Sequence, residues 1–259
     1  MLQDKGAKLD LPILEFDEER VAIIEPSALV AHGHLPLRGV ACFFQDVIER
    51  VCQANGAKEL HRLKAEHGTQ PIYELTYLGE RLAVFHPGVG GPLAAGWLEE
   101  VIAMGVRKLT ACGGAGSLIP KLTVGHVIVP TAAVRDEGTS YHYMPPSREV
   151  VVDPHAIECI EGVLRERDVP YVIGKTWTTD AIYRETRARA SRRRDEGCIA
   201  VDMEAASLLA VARFRDVALG YLLYAGDSLA AEEWDNRGWQ QHSGREALFW
   251  LAAEAAVRL

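Results

Sequence analysis

The sequence predicts a single α/β domain of three layers, a twisted mixed β-sheet flanked by helices. Three observations carry this. Short apolar runs suited to buried strands alternate with apolar residues at helical spacing. No internal repeat, low-complexity tract or linker interrupts the 259 residues, a length that buries one sizeable core. Several strand runs end in glycine-rich or acidic segments, and in α/β sheets ligands gather at the carboxyl ends of strands. The domain is expected to span residues 1–259, with 1–19 as an N-terminal arm and 243–259 as a C-terminal helix.

The elements follow in order. "RVAIIEP" reads as a first buried strand stopped by Pro26. "CFFQDVIERVCQAN" has helical spacing, with Gly56 just beyond it as a stop. "IYELTYLG" and "RLAVFHPG" flank Gly79-Glu80 as a hairpin. The helix "PLAAGWLEEVIAMG" has proline in its first turn and Gly105 at its end. "RKLTACGG" and "GHVIVPTAAV" are strands around a tight glycine turn. A helix starting at Asp153-Pro154, the strand "YVIGKTW" and an arginine-rich helical stretch from Tyr183 to Glu196 come next. "CIAVD" leads into the helix "MEAASLLAVARF", "ALGYLLYAG" is a further strand, and an amphipathic helix runs from about Gly244 to Arg258.

Composition narrows the function. A net charge of −8 argues against a duplex-binding surface and a basic membrane patch, leaving small polar metabolites or protein partners. The acidic residues interleaved in "YRETRARASRRRDEG" make that stretch a solvated helix face rather than a nucleic-acid site. The five cysteines, Cys42, Cys52, Cys112, Cys159 and Cys198, form no Cys-x-x-Cys pair. They read as free, mostly buried thiols in a reducing cytosol, with no metal or redox site implied. The N-terminus lacks the apolar core of a signal peptide, and no apolar run is long enough to cross a membrane, so a cytoplasmic location is expected.

Four segments carry candidate chemistry. "PGVGGP", with Gly90, joins a strand to a helix and offers backbone N–H groups to a ligand, although such turns need glycine in any case. The turn containing Gly113 and Gly114 can cradle an anion or simply turn the chain. In "VDMEAA", Asp202 and Glu204 lie two residues apart and can offer carboxylates to the paired hydroxyls of a ribose; the alternative is helix capping. In "YAGDSL", Asp227 follows a hydrophobic strand, where partial desolvation suits a general acid and where an N-cap is the alternative, with Ser228 placed to orient it.

Taken together, "PGVGGP", "GGAGSLIPKLTVGHVIVPTAAVRDEGTSYHY", "TTDAIYRET", "VDMEAA" and "GDS" resemble the nucleoside phosphorylase family of the purine and uridine phosphorylase type, from about Val21 to Leu229. The resemblance implies a single α/β domain that forms homodimers or homohexamers, and cleavage of a nucleoside N-glycosidic bond by phosphate to give base and ribose 1-phosphate. No metal or organic cofactor is implied, phosphate being a co-substrate. A close branch, the nucleosidases, uses water instead. Carried over by position, Asp202, Met203 and Glu204 are implied to hold the ribose, Asp227 to protonate purine N7, and Thr178, Thr179 and Ile182 to border the base, with Asp180 a buried structural aspartate.

The chain departs from the family at the phosphate. Aligned on the family's first strand, usually ending "GDPxR", this chain has "IEPSA". The glycine turn lacks the family's arginines, which leaves Arg38, Arg135, Arg184 and Arg187 as candidates to bind an anion. The leading expectation is a phosphorylase acting on a purine or modified nucleoside. The alternatives are a hydrolase and a non-catalytic nucleoside-binding protein, the last disfavoured by the retained Glu204 and Asp227.

Overall fold

The computed structural model describes residues 9–31, 33–231, 233–237 and 242–259; residues 1–8 of the expected arm lie outside the described residues. The strands are β1 (Arg38–Cys42), β2 (Lys58–Ala65), β3 (Gly68–Tyr77), β4 (Glu80–Phe85), β5 (Lys108–Ser117), β6 (Val127–Asp136), β7 (Glu149–Val151), β8 (Tyr171–Thr179), β9 (Cys198–Asp202) and β10 (Ala218–Ser228). The helices are α1 (Pro26–Leu29), α2 (Gln45–Ala54), α3 (Gly91–Ala103), α4 (Pro154–Glu166), α5 (Arg187–Asp195), α6 (Ala205–Phe214) and α7 (His242–Arg258).

All ten strands form one mixed sheet. β4, β1, β5 and β10 run parallel in that order, so their carboxyl ends share one edge. β10 is buried along nearly its whole length, as expected of a strand covered on both faces. α3 and α6 pack on one face, and α2, α4 and α7 on the other. These are the three expected layers. α4 starts where expected, with Asp153 accepting from the His155 amide at 2.9 Å.

β5 organises the sheet. It pairs with β1 on one side and β10 on the other, and its last residues pair antiparallel with β9, Gly116 opposite Val201. Since β10 also pairs with β6, β6 with β8 and β8 with β9, the strands β5, β10, β6, β8 and β9 close into a ring. The hairpin between β3 and β4 turns on Leu78 and Gly79, both at positive φ, one residue before the expected turn.

Three expectations are corrected. "RVAIIEP" is not a strand: Ile23 and Ile24 are 106% and 70% exposed, and the segment lies on the surface. Arg20 pairs with Asp216 at 2.9 Å and Glu25 with Arg215 at 3.5 Å, which fixes this arm beside the end of α6. The strand position between β4 and β5 is filled by β1 instead. The second correction is β2, "KELHRLKA", an edge strand with only Leu63 fully buried. Its charges are typical of a protected sheet edge, and they hide its strand character from a reading based on apolar alternation.

The third concerns the arginine-rich stretch, which is a 3₁₀ turn at Ile182–Arg184 followed by α5. Its face is not merely solvated. Asp136 at the end of β6 accepts from Arg189 at 3.1 Å, from buried Arg193 at 3.0 Å and from the Trp177 indole at 2.9 Å. Arg193 also pairs with Glu196 at 2.9 Å. These arginines fasten the helix to the sheet.

Candidate functional site

The turn after β4 and the turn after β9 meet. Gly90, at the N-terminus of α3, donates its amide to Glu204 Oε1 at 2.6 Å. Glu204 is 7% exposed, and burial pushes its carboxyl up to about 8, opposed by the Gly90 and Met203 amides. Met203 beside it is half-buried.

Asp202 serves α6 instead. Its Oδ1 accepts from the Glu204 and Ala205 amides, both at 2.9 Å, and its Oδ2 from Thr176 at 2.6 Å. Thr178 supports the same helix start, accepting from the Ala206 amide at 3.0 Å. The helix-start amides and Thr176 thus occupy both oxygens of Asp202, and Glu204 is the member of the pair turned toward the opposing glycine turn. Thr179 is buried and accepts from the Ala181 amide at 3.3 Å, whereas Ile182 is 48% exposed. Asp180 is exposed rather than buried, and ties β8 to β6 by accepting from the Gly138 amide at 2.8 Å.

Gly113 and Gly114 do not form a turn. Both lie within β5, opposite Leu223 and Tyr224 of β10. A β-carbon on Gly113 would stand 2.8 Å from the Phe43 ring, and one on Gly116 2.6 Å from Leu229 and 2.9 Å from Val201. The glycines let β5 pass close under these side chains while one edge changes partners from β1 to β9 and the other stays on β10. Phe43 and Phe44 directly follow β1, so the true end of the first strand carries two aromatic rings, and the alignment on "IEPSA" is set aside. Phe43 meets His86 edge to face at 5.9 Å. His86 Nδ1 accepts from the Gly88 amide at 3.0 Å, and burial lowers the imidazole pKa.

The candidate arginines are not gathered here. Arg135 is buried and spends its guanidinium on Ser140 and Ser147, at 2.8 and 2.7 Å, and on the carbonyls of Pro145 and Met144, at 2.7 and 3.2 Å. It stacks on Tyr141 at 4.1 Å. An anion would have to displace this whole set, so Arg135 holds the 139–149 segment and is removed as an anion ligand. Arg38 pairs with Glu80 at 3.2 Å at the amino end of β1, the wrong end of the strand. Arg184 and Arg187 are exposed, in the 3₁₀ turn after β8 and at the start of α5.

Asp227 lies within a bulge, between Ala225 and Ser228, near the end of β10. Its Oδ1 stands over Gly116, 3.4 Å from where a β-carbon would sit, and its Oδ2 accepts from the Trp234 indole at 2.6 Å. Ser228 does not orient it: the Ser228 backbone exchanges hydrogen bonds with Asp235 at 2.8 and 3.1 Å, which holds Trp234 in place. Glu185, just past the 3₁₀ turn, is pushed up to about 7 by burial and by the charge of Asp227. Sequence reasoning missed Glu185, Trp234, Phe43 and His86. A tryptophan inside the polar run "AAEEWDNRG" was the available signal for Trp234.

Among the described residues no group of three or more His, Cys, Asp or Glu side chains is disposed to hold a metal ion, and no helix is long and apolar enough to cross a membrane.

This sheet, with its acidic strand ends, has the fold of solved nucleoside phosphorylases. A purine nucleoside phosphorylase from Toxoplasma gondii superposes with a TM-score of 0.75 at 21% identity, over 87% of this chain and 92% of that one. AMP nucleosidase from Bacteroides thetaiotaomicron gives 0.70 at 20% identity, over 85% and 87%. In sequence, a guanosine phosphorylase from Halorubrum lacusprofundi is 30% identical over 169 residues, 65% of this chain and 70% of the relative. A uridine phosphorylase from Thermococcus kodakarensis is 31% identical over 52% of this chain and 49% of its own length. The chain belongs to the phosphorylase superfamily, whose family model matches residues 38–255.

Proposed function

We propose that this protein cleaves the N-glycosidic bond of a nucleoside carrying a purine or modified base. The observation that carries the reading is the meeting of Glu204 with Gly90 on the edge that also bears Asp227. A buried carboxyl facing backbone amides suits ribose hydroxyls, which donate to it and favour its charged form. The charge of Glu204 then lies beside a sugar that becomes oxocarbenium-like as the bond to the base breaks. Asp227 gives a proton to N7 of the base, so the electron pair of the broken bond leaves on a neutral ring.

Phosphate is the acceptor in keeping with the relatives named guanosine and uridine phosphorylase, and it yields ribose 1-phosphate. The Phe43 ring over Gly113 favours a second reading, in which water takes that place and free ribose is released. A dianion against an aromatic ring, without a charge-assisted donor, is costly to desolvate. Chromatography of base and sugar products from a nucleoside panel, with and without phosphate, separates the two. Release that needs phosphate supports phosphorolysis, equal release without it supports hydrolysis, and saturable binding with no release supports a nucleoside-binding protein.

The exposed apolar side chains of Val21, Ile23, Ile24 and Leu29 on the arm support assembly as a homodimer or homohexamer, which light scattering on the purified protein measures. The free, mostly buried thiols support a cytoplasmic location, which fractionation of the source cells checks.

A further inference from the structure

Three elements meet behind the contact between Gly90 and Glu204. Glu137, just past the end of β6, is buried, and its Oε2 accepts from the Ser207 hydroxyl at 2.7 Å and from the Ser140 amide at 2.9 Å. Its Oε1 accepts from the Ser140 hydroxyl, which in turn accepts from Arg135 Nε at 2.8 Å. Ser207 is fully buried in the first turn of α6, three residues after Glu204. The cleavage chemistry uses neither Glu137 nor Ser207.

Gly91, the first residue of α3, shows what this cluster holds. Its φ is not positive, so the backbone angle does not ask for glycine. Space does: a β-carbon on Gly91 would stand 2.5 Å from Ser207 Oγ and 3.0 Å from Thr139 Oγ1. A free serine hydroxyl could swing aside. This one is buried and tied to a carboxylate, so rotating it would break a hydrogen bond that no water replaces.

Resting on the reading of the site given above, we propose that Ser207 and Glu137 are positioning residues for Glu204, acting through Gly91. Glu137 fixes the Ser207 hydroxyl, and that hydroxyl sets how near the start of α3 comes to the start of α6. The separation brings the Gly90 amide to 2.6 Å from Glu204 Oε1. Gly90 has a φ of 86°, which favours glycine, so the direction of its amide is set locally and its distance by the packing behind it. The carboxyl at the sugar end is thereby held from behind, by side chains that do not themselves meet the sugar.

The test compares the parent with Gly91→Ala, the double variant Gly91→Ala/Ser207→Ala, Glu137→Ala and Glu137→Gln. Its first readout is NMR titration of the Glu204 carboxyl in the intact protein, which needs no turnover. Burial places Glu204 at about 8 in the parent; Asp202 and Asp180 push it the same way, and the Gly90 and Met203 amides oppose them. Gly91→Ala should drive the turn away from Glu204, so the midpoint should rise above about 8 as the Gly90 amide is lost. In the double variant the added methyl takes the room the hydroxyl leaves, and the midpoint should return toward the parent's. Glu137→Ala should raise the midpoint as well, whereas Glu137→Gln, which keeps an acceptor for Ser207, should stay near the parent.

The second readout is kcat/KM for guanosine and inosine, which should fall by about 100-fold in Gly91→Ala and recover by about 10-fold in the double variant. Thermal unfolding of each variant separates displacement of Glu204 from a general loss of stability. A midpoint that stays at the parent's value in Gly91→Ala and Glu137→Ala, whatever happens to Tm, would overturn the proposal and leave the cleavage reading intact. So would a double variant whose midpoint and kcat/KM are no nearer the parent's than those of Gly91→Ala. A parent that releases no base from any nucleoside, with midpoints that move as expected, would overturn the cleavage reading and leave the placement of Glu204 by Ser207 and Glu137 standing.

Discussion

The Phe43 ring lies so close over the Gly113 backbone that a β-carbon there would stand 2.8 Å from Cδ2 of the ring. Gly113 is the floor on which Phe43 rests, and the contact joins the end of β1 to the middle of β5. Gly113→Ala should therefore cost about 1–3 kcal/mol of stability by overpacking. Phe43→Leu should relieve much of that cost, so the double variant should be more stable than the sum of the two changes predicts, a coupling that denaturant titration of all four proteins reads directly. Additive effects would mean that the ring does not rest on this glycine.

Glu204 links stability to pH. Its carboxyl keeps a proton in the folded protein up to about 8 and releases it at its ordinary 4.5 in the unfolded chain. The folded state therefore binds more protons between these values, and stability falls as pH rises through that window. Glu204→Gln removes the effect. Its Tm should match the parent near pH 4.5 and exceed it increasingly toward pH 8, by about 2–4 °C for each kcal/mol. The same substitution should reduce kcat/KM by roughly 10–100-fold through weakened hydrogen bonds to the sugar. Calorimetry at several pH values checks the first expectation and steady-state kinetics the second.

Asp227→Asn keeps an acceptor for the Trp234 indole but carries no acidic proton. Turnover of a purine nucleoside should drop about 100-fold or more, with KM changed by less than about threefold. Turnover equal to the parent's would remove Asp227 from the acid role.

Asp136 is tested by stability alone. It compensates the buried guanidinium of Arg193 and accepts from Arg189 and the Trp177 indole. Asp136→Ala leaves Arg193 with Glu196 as an ion-pair partner but strips acceptors from Arg189 and the Trp177 indole, and should cost about 1–3 kcal/mol. Thermal unfolding measures the loss, and a change of less than about 1 kcal/mol would show that the arginines of α5 are held by something else.

The central strands and the helices α3 and α6 were legible because their apolar runs are buried on both faces, so burial and sequence carry the same pattern. β2 was not, because an edge strand buries little and keeps charges for protection. "RVAIIEP" misled in the opposite sense, since an apolar run does not say whether it enters the sheet or lies upon it. At the site, Glu204 and Asp227 stood out as acids at strand ends, but nothing local separates a ligand-facing carboxylate from a capping one. Asp202 was resolved only by its partners, the Glu204 and Ala205 amides and Thr176. Trp234 was hidden because its place depends on how the segment after β10 folds back, pairing Ser228 with Asp235 and setting the indole on Asp227.

The shared strand β5 has a mechanical consequence. Gly113 to Ala115 are paired along β10, which carries Asp227, and Gly116 and Ser117 along β9, which runs into Glu204. The acid at the base end and the carboxyl at the sugar end are thus mounted on opposite edges of one ribbon. Pairing on both edges ties the two mounts to one strand, and the β5 amides across this junction should be among the slowest of the domain to exchange with solvent.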